Sequence, residues 1–313
     1  MSLQTVEIVE VAARDGLQNE KVAFSTAQKI ELIHRMVAAG ARRLEVASFV
    51  RADRVPQMAD AEAVISGVSL LKGVTTIGLV MNKKGAFRAL ETDIGEIGAV
   101  CVATDTFAQR NQGQTSRESA ESAAEIIRFA RAEGRRAQVT IGAAFGCPFE
   151  GEVAIERVVE IAHLVADADP VEIAIADTIG VAVPTQVFET VARLRAVLGT
   201  IPIRVHLHNT RGTGIANAWA AVEAGATTLD ASVGGIGGCP FAPNATGNIA
   251  TEDLLYMLRR SGIETGYDLD RTLDASRWLA GEMGRDLPAL VGRAGVFPHG
   301  LAEQPAPHHA IAS

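Results

Sequence analysis

The chain has 313 residues, 48% of them hydrophobic, and a formal net charge of −8, enough apolar material for one large buried core or two ordinary ones. The acidic balance, with no basic run or basic–aromatic stripe, excludes a general nucleic-acid binder, and no apolar stretch reaches the length of a membrane span. The N-terminus carries no basic segment before an apolar run, and Cys101, Cys147 and Cys239 are too few and too scattered for a disulfide framework, so the sequence reads as a soluble cytoplasmic protein.

Strand-like and helix-like segments then alternate along the chain. Thr5 to Val11 is a β-branched run, and Ser25-Thr-Ala-Gln28 has capping-box spacing ahead of Ile30, Ile33, Met36 and Val37 at helical intervals. Arg43 to Ala47, Val74 to Val80, Ala99 to Ala103 and Ala137 to Ile141 read as the next four strands. Helices are expected over Pro56 to Ile65, Lys84 to Leu90, Ser116 to Ala132 and Glu152 to Val165. Val171 to Ala176 precedes a helix begun by Pro184, Ile201 to Leu207 precedes one over Ile215 to Ala224, and Thr227 to Ser232 precedes one over Thr251 to Arg260.

Eight such units, ending near residue 262, predict an α/β fold, a (β/α)8 TIM barrel with a C-terminal helical extension; such barrels run to about 250 residues. A doubly wound sheet is the rival, but the first strand–helix turn lacks the GxGxxG that would favour it. The expected division is a catalytic barrel over 1–262, a helical extension over 263–296 and a disordered tail over 297–313.

Active sites of such barrels lie at the C-terminal strand ends, and here those ends gather polar groups. Strand one leads to Arg14, Asp15, Gln18 and Lys21, strand two carries Glu45, strand three leads to Asn82 and strand four to Thr104. Strand six ends at Asp177 and Thr178, strand seven at His206 and His208, and strand eight at Gly234 to Gly238 and Cys239. His206 and His208, two apart on a strand, share a face. Asp15 and Asn248 can add oxygens, and two nitrogens with two oxygens suit Mg²⁺ or Mn²⁺, with Cys239 the softer alternative ligand. Each residue also has a plain structural reading. Asp15 can shape a turn before Gly16, Glu45 can pair with Arg14, Asp177 can cap its own turn, and Cys239 beside Pro240 can be an inert packed thiol.

Several segments resemble the 3-hydroxy-3-methylglutaryl-CoA lyase family. They are Val9-Glu-Val-Ala-Ala-Arg-Asp-Gly-Leu-Gln-Asn-Glu-Lys21, Glu45-Val-Ala-Ser-Phe-Val50 with Val55-Pro-Gln-Met58, Gly146-Cys-Pro-Phe-Glu-Gly151 and Ala176-Asp-Thr-Ile-Gly180. To these are added His206-Leu-His208 and Gly235-Ile-Gly-Gly-Cys-Pro-Phe-Ala242 through Thr246-Gly-Asn-Ile-Ala-Thr-Glu-Asp253, so that the resemblance spans about residues 5 to 290. It implies retro-Claisen cleavage of a 3-hydroxyacyl-CoA, foremost 3-hydroxy-3-methylglutaryl-CoA to acetyl-CoA and acetoacetate. Citramalyl-CoA and 3-alkyl-3-hydroxyglutaryl-CoA are the related substrates.

The resemblance further implies Asp15, His206, His208 and Asn248 as ligands of Mg²⁺ or Mn²⁺. Arg14 would be the enolate-stabilising cation, with Asp15, His206 and Cys239 as proton-handling groups and Glu45 as support. Substrate or CoA contacts are expected from Gln18, Lys21, Asn82, Thr104, Asp177, Thr178, Arg211, Gly237 and Gly238, with Glu252 holding the cysteine loop. A homo-oligomer is expected on the same ground. The sequence departs from the family's pattern at Ala12-Ala13, where Gly-Pro is usual, at Thr140, which aligns with a tyrosine of the animal enzymes, and at Asn209-Thr-Arg-Gly212 in place of Asp-Thr-Tyr-Gly. These departures spare the ligands and leave the acyl group open. A condensing synthase of the same superfamily and a non-catalytic CoA-ester-binding barrel are the competing functions.

Overall fold

The strand–helix alternation closes on itself in the computed structural model, which describes residues 5–238 and 247–297. Strands β1 (Glu7–Glu10), β2 (Arg43–Ser48), β3 (Thr75–Val80), β4 (Glu96–Val102), β5 (Arg136–Gly142), β6 (Ile173–Asp177), β7 (Ile203–Leu207) and β8 (Thr228–Ala231) form one parallel sheet. Val9 registers with Arg43 of β2 and with Asp230 of β8, which closes the barrel. Parallel neighbours need a crossover, and helices supply it.

Local sequence explains most of those helices. Ser25 and Gln28 form the reciprocal capping box of α1 (Thr26–Ala38), and Thr115 and Glu118 form that of α5 (Ser116–Ala132). Pro184 opens α7 (Pro184–Leu198), where its missing N–H costs nothing. The expected second helix is divided, with a 3-10 turn at Pro56–Met58 before α2 (Ala61–Val68). α3 covers Lys83–Leu90, and α4 (Asp105–Gln112) was not anticipated. α4 is mostly polar and buries only Phe107 and Ala108, too few apolar positions for a readable period. The ring closes with α6 (Ile155–Ala166), α8 (Gly214–Glu223) and α9 (Thr251–Arg260).

Beyond the barrel, α10 (Leu269–Met283) lies against α1, where Asp268 N–H donates to Ala39 O and Arg35 stacks on Trp278 at 4.9 Å. A short α11 (Val291–Ala294) follows. Of the disordered tail expected over 297–313, residues 298–313 lie outside the described residues. No helix among the described residues is long and apolar enough to cross a membrane.

The apolar core lies between strands and helices, with Leu32, Ile33 and Met36 of α1 and Ile126 and Ile127 of α5 buried in it. The inside of the barrel differs. Such barrels are filled mainly by branched apolar side chains, and here Val9, Val11 and Ile77 form only a small apolar cluster. The rest is a ladder of buried ion pairs. Arg43 meets Glu96 and Glu172, and Arg204 sits 3.2 Å from Asp230 and 3.7 Å from Glu172. Buried charge is tolerated only when paired, and this ladder runs from the barrel floor to the site.

Candidate active site

Arg14 and Asp15 stand on a π-helical turn, Ala12–Gly16, directly after β1. The N–H groups of Arg14, Asp15 and Gly16 all point to Val11 O, at 3.2, 2.8 and 3.1 Å, so the turn is tightly wound. Such π-turns recur at functional sites. A side chain at Gly16 would come within 2.8 Å of Ile236, which explains why the turn can lie flat on the glycine-rich segment. Arg14 Nη1 donates to Asp15 Oδ1 at 2.8 Å, and its Nη2 donates to Glu45 Oε2 at 2.6 Å. Both pairs are mostly buried, which fixes the guanidinium in one orientation.

The alternation of β7 places Arg204, His206 and His208 on the inward face. The two imidazole rings lie 5.1 Å apart between centroids. His206 Nδ1 hydrogen-bonds Asp230 Oδ2 at 3.0 Å, and its Nε2 is 3.8 Å from Asp15 Oδ2. Asn248 arrives from the other side, because residues 247–250 pair with the end of β7: Asn209 N–H donates to Gly247 O and Ile249 N–H to Leu207 O. Its Nδ2 donates to Asp15 Oδ2 at 2.9 Å and to Ile236 O at 3.1 Å, while its buried Oδ1 has no hydrogen-bond partner. Gly237 permits this approach. Its φ is +113°, and a Cβ there would fall 2.6 Å from Asn248 Nδ2.

The protonation states follow from these contacts. Burial alone would raise the Asp15 carboxyl, but Arg14, the two imidazoles and Asn248 outweigh it and hold the group well below the usual carboxylate range. Burial opposes a charge on His206, yet the Asp230 hydrogen bond and the Asp15 charge raise its affinity for a proton. Burial and its charged neighbour push His208 down to about 4, so it is neutral and available as a ligand.

Asp15, His206 and His208 each bring a ligand atom within 4.8 Å of the others, and these residues could hold a metal ion. The fit is supported by two orphaned buried atoms, Asn248 Oδ1 and His208 Nδ1. Charge supports it too. Along the linked interior network the carboxylates of Asp15, Glu45, Glu96, Glu172 and Asp230 outnumber the guanidiniums of Arg14, Arg43 and Arg204. A bound cation would offset that excess.

These groups open into a cavity of about 450 Å³. Of the residues singled out from sequence, Arg14, Asp15, Gln18, Glu45, Thr140, Thr178, His206, His208 and Gly238 line it. Gly238 O accepts from Asn19 Nδ2 at 2.7 Å, and Thr178 Oγ1 accepts from Ala143 N–H at 2.9 Å. Others have structural posts instead. Asn82 caps α3 through Gly85 N–H, Thr104 donates to Cys147 Sγ, and Asp177 accepts from Val181 and Ala182 N–H, with burial raising its pKa.

Glu252 accepts from Gly234 N–H at 2.9 Å, beside the glycine-rich segment, and Lys21 is exposed away from the cavity lining. Arg211, expected among the substrate contacts, is held by the β6 loop and is not among the residues that line the cavity. Its Nη1 donates to Ile179 O and Gly180 O at 3.0 and 2.8 Å, which staples the β6 loop and turns the charge away from the cavity. Cys239 lies outside the described residues. Sequence reading missed Arg204, Asp230, Arg54, Arg110 and Asn111 in the lining. Arg204 was findable, because it precedes His206 by two on the same strand.

A closed parallel barrel with a carboxylate, a guanidinium and two imidazoles converging at its C-terminal rim defines an enzyme of the (β/α)8 class. The chain belongs to the HMGL-like family, whose pattern it matches over residues 5–279, and it is a carbon–carbon lyase. It is 45% identical to an (R)-citramalyl-CoA lyase of Chloroflexus aurantiacus over 97% of this chain and 99% of that one. It is 39% identical to the hydroxymethylglutaryl-CoA lyase YngG of Bacillus subtilis over 91% of this chain and 95% of that one. Among solved structures, an HMG-CoA lyase of Acinetobacter baumannii in complex with coenzyme A and 3-methylmalate superposes with a TM-score of 0.91. That protein is 36% identical over 96% of this chain and 99% of the other.

Proposed function

We propose that this chain is a divalent-metal-dependent lyase that cleaves a carboxylated 3-hydroxyacyl-CoA into acetyl-CoA and a keto acid. The observation that carries this reading is the convergence of Asp15, His206 and His208 beside Arg14 in one cavity. Asp15, His206, His208 and Asn248 would hold Mg²⁺ or Mn²⁺, which when bound polarises the hydroxyl and lowers its pKa. The structure of a relative with coenzyme A and a hydroxy dicarboxylate supports both parts of the substrate. Arg54 and Arg110 are exposed where they line the cavity and make no ion pair among the described residues, Arg110 lying over the Phe149 ring at 4.2 Å, and they suit the phosphates of CoA.

In the reaction the substrate hydroxyl loses its proton to a basic group beside it, for which the Asp15 carboxylate is at hand. The oxygen's electron pair becomes the carbonyl of the keto acid, and the adjacent C–C bond breaks. Its electrons pass to the acetyl carbon, giving the enolate of acetyl-CoA. Arg14, held by Glu45 and Asp15, donates to the enolate oxygen. A proton from Cys239 to that carbon completes acetyl-CoA.

Similarity to the Chloroflexus protein supports citramalyl-CoA, which would give pyruvate, as the first substrate to test. 3-Hydroxy-3-methylglutaryl-CoA, the expectation from sequence, is the second. Purified protein incubated with Mn²⁺ and a panel of 3-hydroxyacyl-CoAs should release acetyl-CoA from at least one, and chelation should abolish it. Release that survives chelation would refute the metal requirement, and no release from any member would refute the lyase reading.

A further inference from the structure

Arg204 is a buried guanidinium, 2% exposed, at the floor of the cavity, two residues before His206 on the same strand face. Its donors are poorly used. Nε and Nη1 have no hydrogen-bond partner, and Nη2 reaches only Thr140 Oγ1, at 3.4 Å. Asp230 and Glu172 lie beside it without hydrogen-bond geometry, and each is shared. Asp230 also holds His206, and Glu172 Oε2 is nearer to Arg43, at 2.9 Å, than to Arg204, at 3.7 Å. A guanidinium kept only as a counter-ion would gain most from a bidentate fork with one carboxylate. Here the planar donors are left over, and burying them unpaired is unfavourable.

We propose that Arg204, with Thr140, receives the acid group of the acyl chain and so selects 3-hydroxyacyl-CoA esters that carry a carboxylate. The proposal rests on the lyase reading above. A carboxylate supplies two coplanar acceptors that match the unused donors. The Asp230 carboxylate, which touches Arg204 with one oxygen and His206 with the other, sets the distance from the acid-binding group to the reacting centre at one carboxylate plus its two contacts. The phosphates of CoA would stay at the mouth with Arg54 and Arg110, so the cavity separates its two anionic demands by depth.

The test compares parent, Arg204→Gln and Thr140→Val proteins of full length, loaded with Mn²⁺. Calorimetry measures binding of the free acids citramalate and 3-hydroxy-3-methylglutarate, and kinetics compares the best acid-bearing ester with 3-hydroxy-3-methylbutyryl-CoA, which lacks the acid. Arg204→Gln should raise the Kd of the acids and the KM of the acid-bearing ester by about tenfold to a hundredfold, the range for a hydrogen bond to a charged group. Mn²⁺ affinity and the KM of the acid-free ester should change less than about threefold. Equal losses on both esters, or unchanged acid binding, would overturn the proposal. Should Arg204→Gln not fold, Thr140→Val decides, because it must weaken acid binding by about threefold or more. If the parent cleaves no ester, the lyase reading fails, while acid binding and its dependence on Arg204 still judge this site.

Discussion

Asp230 Oδ2 lies 3.0 Å from Nδ1 of His206, which turns the opposite ring nitrogen toward Asp15. An imidazole held in this way presents one tautomer and one ring orientation to whatever binds there. Asp230→Asn keeps the size but can offer an N–H where the carboxylate accepted one. Mn²⁺ affinity, measured by calorimetry, should fall about tenfold to a hundredfold. An unchanged affinity would mean that packing alone orients His206.

The ligand set and the proton donor should separate by mutation. Asp15→Ala and His206→Ala remove ligand atoms of one cluster and should lose metal and acetyl-CoA release together. Cys239→Ala should keep the metal, read by electron paramagnetic resonance of Mn²⁺, and lose about 10²-fold or more in kcat, the usual range for a general acid. Full turnover in that variant would remove Cys239 from the reaction.

Glu10 predicts a pH dependence of stability away from the chemistry. Its carboxylate accepts from Ala12 and Val233 N–H and from Thr251 Oγ1, tying the π-turn, the glycine-rich segment and α9 together. Burial raises its pKa from 4.5 to about 7, against those hydrogen bonds, which lower it. The folded state therefore holds the proton more tightly than the unfolded chain. This contribution is fully present below pH 4.5 and is lost as the pH rises through about 7. The whole effect is about 3.5 kcal/mol, from roughly 1.4 kcal/mol per pKa unit. Glu10→Gln should flatten the urea-denaturation stability between pH 5 and pH 8 and exceed the parent at the upper end. A parallel pH profile in both proteins would exclude Glu10 as the source.

Arg211 supplies a contrast with Arg204. Because its guanidinium binds the Ile179 and Gly180 carbonyls, Arg211→Tyr should leave the order of preference among acyl groups unchanged. It should cost about 1 kcal/mol of stability for the lost loop contacts. A reordered preference in the substrate panel would place this residue at the acyl group after all.

Local pattern alone determined much of this protein. The eightfold alternation, the capping box at Ser25 and the boundaries of α5 and α9 depend on interactions within a few residues, and all were legible. The pairing of His206 with His208 was legible for the same reason, since strand alternation needs no partner. The family followed from the motifs around them. Only the closed barrel decided the rest. It brought Asn248 beside Asp15 across 233 residues, and it set Asp230 of β8 against His206 of β7.

The same closure separated Arg204, buried under the site, from Arg211, spent on a loop, although both flank the histidines in sequence. A side chain's role depends on which donors and acceptors its neighbours leave unused. In a barrel those neighbours come from strands far apart along the chain. The sequence therefore named the chemistry, and the tertiary structure decided which of these two cations lines the cavity.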